Sequence, residues 1–200
     1  MYLLTKRIFD FITAALALAI LSPFFLAIAV IIKFDSKGPV FYLQERVGQY
    51  NRLFRMLKFR TMHTGADKKG WLTIGTTDNR ITRSGQWLRK YKLDELPQLI
   101  NVLIGNMSLV GPRPEVPYFV SQYNEAQLQV LQAKPGITDA VSLYYFDEQQ
   151  LIAGYENPEQ GYLKEIMPQK LQLNLDYLQH RSFMNDFHIL VKTIIRIFSR

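Results

Sequence analysis

The sequence predicts a membrane-associated α/β chain, in which an N-terminal apolar helical segment is joined to a small mixed α/β domain. Three observations carry this. A long uncharged run lies near the N-terminus, an alternating stretch suited to a β-hairpin follows it, and helix-periodic segments separated by Gly and Pro fill the remainder. The expected division places the apolar element in residues 1–33 and the rest in residues 34–200. Residues 165–200 are helical and are candidates for lying in a membrane interface.

The chain opens with a polar lead ending Lys6-Arg7, and from Phe11 to Ile32 it carries no charged residue. That is about 22 positions, enough to cross a bilayer as one straight helix. A cleaved signal peptide would need a shorter apolar core and a polar cleavage region, whereas Ala27-Ile28-Ala29 runs on into Val30-Ile31-Ile32. A buried core helix would be shorter. Ser22-Pro23 interrupts the run, and proline removes a helix hydrogen bond and bends or breaks the helix. Basic residues flank both ends, Lys6 and Arg7 before, Lys33 and Lys37 after. The positive-inside tendency holds both ends on the cytoplasmic side. Two readings stand on these residues: a re-entrant helix hairpin broken at Ser22-Pro23, and a single kinked span.

After Ser36-Lys37-Gly38-Pro39, residues Val40–Arg46 and Leu53–Met62 read as strands around a turn at Gly48–Asn51. Arg55, Lys58 and Arg60 interleave with Phe54 and Phe59, a pattern that suits nucleic acid, a phosphate site or a solvated hairpin face. His63–Arg83 is polar, without periodicity, and reads as a loop. Ser84 is expected to cap a short basic helix ending near Tyr91.

Asp94 and Glu95 come next, preceded by Arg89, Lys90 and Lys92 and followed by Leu96, Leu99, Ile100 and Leu103 at helical spacing. Gly105-Asn106 is a helix stop. The carboxylates therefore fall at a helix N-terminus, where the dipole favours an ionised carboxylate and a nearby phosphate. Helix capping alone would also account for them. Gly111-Pro112-Arg113-Pro114 closes the stretch. Two prolines stiffen the backbone around one Arg, which suits bidentate anion binding, and an ordinary surface turn is the plain alternative.

Beyond this, Val116–Ala133 is expected to be a helix, Val141–Phe146 a strand and Asp147–Ala153 a turn of helix. Asn157–Gly161 should be a loop, with helices at Met167–His180 and Asp186–Ser199. A net charge of +7 and a pI near 9.5 point to an anionic partner. The absence of Cys excludes disulfides and thiolate zinc sites, and His63, His180 and His188 are too far apart to pair as helical metal ligands.

Several motifs occur in a fixed order: a basic lead, the Ser22-Pro23 apolar segment, Lys58-Phe59-Arg60-Thr61-Met62, Leu93-Asp94-Glu95-Leu96-Pro97-Gln98-Leu99, Asn101-Val102-Leu103, Gly111-Pro112-Arg113-Pro114 and Lys134-Pro135-Gly136-Ile137-Thr138. In that order they closely resemble the bacterial sugar transferases known as small monotopic phosphoglycosyl transferases, over nearly the whole chain. One departure stands out. Where family members often continue Gly-x-Ala-Gln-Val-x-Gly-Arg, this chain reads Asp139-Ala-Val-Ser-Leu-Tyr-Tyr-Phe-Asp-Glu, with Phe146 at the position of the Arg.

The resemblance implies a membrane enzyme of the phosphotransferase class. It would act on the cytoplasmic face of the bacterial inner membrane and move a sugar 1-phosphate from a UDP-sugar to undecaprenyl phosphate, releasing UMP. Such a step begins assembly of a membrane-linked glycan. A lipid acceptor at head-group depth suits the re-entrant reading. The resemblance further implies Asp94 as nucleophile and ligand of Mg²⁺, Glu95 as its catalytic partner, and Lys58, Arg60, Arg89 and Arg113 as phosphate-binding residues. Nucleic acid is then no partner, and the bilayer is one; self-association is left open. The rival class is a non-catalytic anchored protein whose basic surface binds anionic lipid or nucleic acid. It gives no reason for Asp94-Glu95 beside Arg113.

Overall fold

The computed structural model describes residues 2–66, 78–144 and 148–199. Its architecture is mixed α/β, with a long N-terminal apolar helix and two small sheets. Helix α1 (Tyr2–Asp35) is helical through Pro23 and is not interrupted at Ser22-Pro23. The expected division into two separate helices is corrected accordingly, and the local chemistry explains it. Pro23 has no N–H for the Ala19 carbonyl four residues earlier, but the Ser22 hydroxyl donates to that carbonyl at 2.9 Å.

One face of α1 packs on the domain along most of its length. Phe9, Ala14, Ala17, Leu18 and Leu21 enter a cluster with Met56, Val102, Met107, Val110, Tyr177 and Ile189. Phe25, Ile28 and Ile32 enter a second cluster with Phe59 and Leu88. The other face leaves Leu4, Ile8, Phe11, Leu16, Ile20 and Leu26 exposed. Polar contacts bolt both ends to the domain. Arg7 donates to the Val102 and Leu103 carbonyls at 2.6 and 2.9 Å, and Asp10 accepts from Ser108 Oγ and the Leu109 N–H at 2.7 and 3.3 Å. Lys6 pairs with Asp186. At the far end Asp35 accepts from Ser84 N–H and Oγ at 2.9 and 2.8 Å.

Strands β1 (Phe41–Val47) and β2 (Leu53–Phe59) form the expected antiparallel hairpin, with Tyr42 opposite Lys58 and Arg46 opposite Phe54. β2 stops short of Met62, which instead bridges to Ile81 across residues that include 67–77, outside the described residues. Helix α2 (Arg83–Lys90) is capped by Thr82, whose side chain accepts from Gly85 N–H. Ser84, the expected cap, lies within its first turn and is engaged by Asp35.

Asp94 and Glu95 sit on a 3₁₀ turn, Leu93–Glu95, rather than in the first turn of α3 (Gln98–Ile104), for which Pro97 is the N-cap. Gly105, with φ of 94°, ends α3 as expected. A second sheet, unanticipated, pairs β3 (Ser108–Val110) in parallel with β4 (Gly136–Thr138). The two strands are brought close by glycine. A Cβ on Gly111 would meet the Lys134 carbonyl oxygen at 2.4 Å, and one on Gly136 would meet Gly111 N at 2.1 Å.

The remaining expectations divide. Val116–Ala133 is broken into α4 (Pro117–Val120), α5 (Glu125–Leu128) and a 3₁₀ turn at Gln129–Gln132. The cause is Asn124, whose capping box with Gln127 starts a new helix. Val141–Tyr144 is a helix, α6, and no strand, because Asp139 accepts from Ser142 N–H at 2.7 Å and caps it. Phe146 lies outside the described residues. Helix α7 (Glu148–Ala153) agrees with expectation, while Pro158–Gly161, expected as loop, forms α8. Helix α9 (Met167–Gln179) follows a π-helical turn at Tyr162–Ile166, and α10 (Phe183–Phe198) starts earlier than expected at a Ser182 cap. The C-terminal elements build their own core from Val116, Phe119, Val130, Ile152, Tyr162, Ile166, Met167 and Leu171.

Candidate active site

Lys92 opens the site. Its φ of 55° is left-handed, an uncommon conformation for a residue with a side chain, and it turns the chain sharply from α2 into the 3₁₀ turn. Asp94 and Glu95 follow. Asp94 is buried and Glu95 is partly buried, and their surroundings differ.

Glu95 is fully engaged. The two terminal Arg113 guanidinium nitrogens meet its two oxygens as a fork, with Nη1 at 3.2 Å from Oε2 and Nη2 on Oε1. Lys58 Nζ adds a third contact at 3.1 Å to Oε1. Burial pushes the Glu95 carboxyl up, but Arg113 and Lys58 overcome it and hold the group well below its usual range. Glu95 is therefore a fixed anion. Lys58 feels the same burial, which pulls its ammonium below the usual lysine range against the attraction of Glu95.

Asp94 is the opposite case. Its Oδ1 is buried and has no hydrogen-bond partner. Burial and then the adjacent Glu95 charge push its carboxyl up, against the pull of Lys58, Arg89 and Lys92. A dipole-stabilised, readily ionised carboxylate was expected there. The structure differs because Asp94 lies on a 3₁₀ turn beside a saturated anion and not at the mouth of α3.

Arg89 reaches the site from the last turn of α2. Its Nε donates to Thr61 Oγ1 at 2.9 Å, and its Nη1 is buried and unpartnered. Gln98, one turn beyond the dyad, is also buried with both amide atoms unpartnered. Buried polar atoms in a folded protein ordinarily have partners, and those of Asp94, Arg89 and Gln98 are exceptions that mark the candidate site. Arg60 is not part of it. Its guanidinium donates to the carbonyls of Pro39 at 2.6 Å, Lys37 at 3.0 Å and Ser36 at 2.8 Å. It holds the chain where α1 ends.

The residues that sequence reasoning passed over lie behind Arg113. Arg46 Nη1 donates to the Pro114 carbonyl at 2.8 Å, and its Nη2 donates to Gln44 Oε1 at 2.9 Å. Glu115 accepts from Tyr162 OH and lies 3.6 Å from Lys170 Nζ. Glu115 follows the Gly-Pro-Arg-Pro segment directly, which was the one available signal. Its partners, at positions 46, 162 and 170, come from elements remote in sequence.

No group of three or more His, Asp or Glu gathers as a metal cluster among the described residues. A divalent cation of the magnesium type needs less than this, because it commonly takes one or two carboxylates and completes its shell with substrate phosphates and water. The buried, unpartnered Asp94 Oδ1 is a hard oxygen donor that fits that requirement.

The chain is similar to a UDP-N-acetylgalactosamine-undecaprenyl-phosphate N-acetylgalactosaminephosphotransferase of Aeromonas hydrophila, 37% identical over 198 residues, covering 96% of this chain and 43% of the relative. It is similar to a UDP-glucose:undecaprenyl-phosphate glucose-1-phosphate transferase of Xanthomonas campestris pv. campestris, 39% identical over 200 residues, covering 98% of this chain and 39% of the relative. A protein of the same name from Caulobacter vibrioides is 37% identical over 195 residues, covering 96% of this chain and 68% of the relative. The chain thus spans about two fifths of the length of the first two relatives. The family model for bacterial sugar transferases matches residues 1–200. The chain belongs to the bacterial sugar transferase family.

Proposed function

We propose that this chain transfers a sugar 1-phosphate from a UDP-sugar to undecaprenyl phosphate, releasing UMP, by way of a covalent intermediate on Asp94. The relatives' printed activities support the overall reaction. The observation that carries the mechanism is the asymmetry of the dyad, with one carboxylate clamped by two cations and its neighbour buried with a free oxygen.

In the first half-reaction an Asp94 carboxylate oxygen attacks the phosphorus that bears the sugar. The bond from that phosphorus to the bridging oxygen of the diphosphate breaks, and UMP departs with the electron pair. In the second, an oxygen of the lipid phosphate attacks the same phosphorus and displaces Asp94, giving the diphosphate-linked lipid sugar. Arg89 offers its unpartnered Nη1 to the diphosphate. Lys58 and Arg113 hold Glu95 and keep positive charge beside the transferring group. Asp94 would be the residue that holds a Mg²⁺ ion here, and the ion would supply charge neutralisation.

The membrane part of the reading rests on α1. Among the described residues it is the one helix long and apolar enough to cross a membrane. Lys6, Arg7 and Asp10 at one end and Asp35 at the other all bond to the same domain. Because both ends are tied to one body, we place both on the cytoplasmic side and read α1 as an element that enters the bilayer from one side only, its exposed apolar face in lipid. The phosphate of a lipid acceptor then arrives beside the dyad without leaving head-group depth.

The reaction is tested with purified protein, undecaprenyl phosphate and a panel of UDP-sugars, with UMP as readout. UMP release that requires the lipid acceptor for multiple turnovers supports the reading. Binding of lipid with no UMP from any sugar nucleotide would favour the non-catalytic alternative.

A further inference from the structure

Arg113 lies in an irregular segment whose two prolines donate no backbone hydrogen bond. Its position depends on the carbonyls around it, and these are gripped from two sides. The Pro112 carbonyl accepts from Gly136 N–H at 3.0 Å, and the Pro114 carbonyl accepts from Arg46 Nη1 at 2.8 Å. The Glu115 carbonyl accepts from Val47 N–H at 2.9 Å. β4 therefore holds one flank of Arg113 and β1 holds the other.

The Arg46 grip is itself backed by buried charge. Arg46 Nη1 lies 3.5 Å from Glu115 Oε2. Glu115 meets Lys170 and Tyr162 OH, and Lys170 Nζ donates to Tyr162 OH at 3.2 Å. Burial pushes Glu115 up, but Lys170 and Arg46 outweigh it and keep the carboxyl below its ordinary range. Buried ion networks of this kind bring little net stability, because desolvation offsets attraction, and well-packed apolar side chains often do as well. What a network does supply is direction. This one fixes a carbonyl next to the guanidinium that forks onto Glu95.

We propose that Arg46, backed by Glu115, Lys170 and Tyr162, is a positioning residue for Arg113. It touches no reacting atom. It sets where the Arg113 guanidinium stands relative to Glu95, and so links the C-terminal helices to the site. The inference rests on the assignment of Arg113 above.

The test is a double-mutant cycle on UMP release from the UDP-sugar that the panel identifies. Arg46→Met keeps an apolar stem and removes the donors. It lowers kcat by about ten- to a hundredfold with a smaller change in KM, the scale expected when a clamp is displaced by about 1 Å. In the Arg113→Ala protein the same substitution costs less than about twofold, because the group it positions is gone. Arg46→Lys, which keeps a cation and a donor, recovers part of the loss. If Arg46→Met does not fold, Tyr162→Phe is put through the same cycle, since it removes only the hydroxyl that orients Glu115. Equal fold-losses in the native and Arg113→Ala backgrounds overturn the inference, as does unaltered kcat in folded Arg46→Met. Native activity in Arg113→Ala alone is a different result. It refutes the role given to Arg113 under the proposed function.

Discussion

Arg113 forks onto Glu95 and leaves Asp94 without a partner for Oδ1. The two carboxylates are neighbours in sequence, yet one is pinned as an anion and the other keeps a buried oxygen without a hydrogen-bond partner. Replacing Arg113 by Lys keeps the charge and loses the fork. Arg113→Lys is expected to fold normally and to lower kcat by about ten- to a hundredfold, on the scale of losing one aligned donor. Steady-state kinetics of UMP release check this, and a Lys variant with native kcat would show that the fork is unimportant.

Arg60 is expected to behave as a structural residue. Its guanidinium donates three hydrogen bonds to the carbonyls of Ser36, Lys37 and Pro39. Arg60→Ala should destabilise the protein by roughly 2 kcal/mol, from the three hydrogen bonds lost and the space left by the buried guanidinium. Thermal unfolding measures the loss, and KM for the UDP-sugar should hold steady. A raised KM at unchanged Tm would return Arg60 to the phosphate site.

Much of the site can be read from adjacent residues. Asp94, Glu95 and Arg89 lie close together in sequence, and the prolines around Arg113 single it out. What escapes is what depends on distance. Arg46, Glu115, Tyr162 and Lys170 meet only after β1 and α9 have packed, and no spacing records that. Asp10, just ahead of the uncharged run, looks like a border residue, but it caps β3 through Ser108 and Leu109. The strands β3 and β4 span three residues each, too short for a period of two to show. Val141–Tyr144 has the composition of a strand and is helical because Asp139 caps it. Arg60 was read with the strand pattern of Arg55 and Lys58, but β2 ends at Phe59, and the residue after it turns to the end of α1.

Acid should unfold the protein partly through Glu115. Its folded carboxyl titrates below its ordinary value of 4.5, so the fold binds fewer protons than the unfolded chain. Stability from this group is present above about pH 4.5 and is lost as pH falls through the depressed folded value. Glu115→Gln should lower Tm at neutral pH, where Lys170 and Arg46 lose their partner, and should flatten the fall in Tm between about pH 5 and 3. Parallel Tm–pH curves for the two proteins would contradict this.

The proposed topology, with both bonded ends of α1 on one side, can be tested by labelling. The chain has no Cys, so single cysteines can be placed at Leu3 and Glu125, both exposed positions. In intact cells an impermeant thiol reagent should label neither, and after permeabilisation it should label both. Labelling of Leu3→Cys from outside intact cells would show a helix that spans the bilayer.

The central claim is the covalent intermediate on Asp94, and intact and peptide mass spectrometry after mixing the protein with UDP-sugar and Mg²⁺, without lipid acceptor, tests it most directly. A sugar-phosphate adduct is expected on the peptide containing Asp94, with about one UMP released per adduct and loss of the adduct when undecaprenyl phosphate is added. Asp94→Asn preserves the shape, should show no adduct, and should lose turnover by several orders of magnitude, about the scale seen when a catalytic nucleophile is removed. An Asp94→Asn protein that turns over at a rate near the native one, or native turnover with the adduct on another residue, would contradict the account.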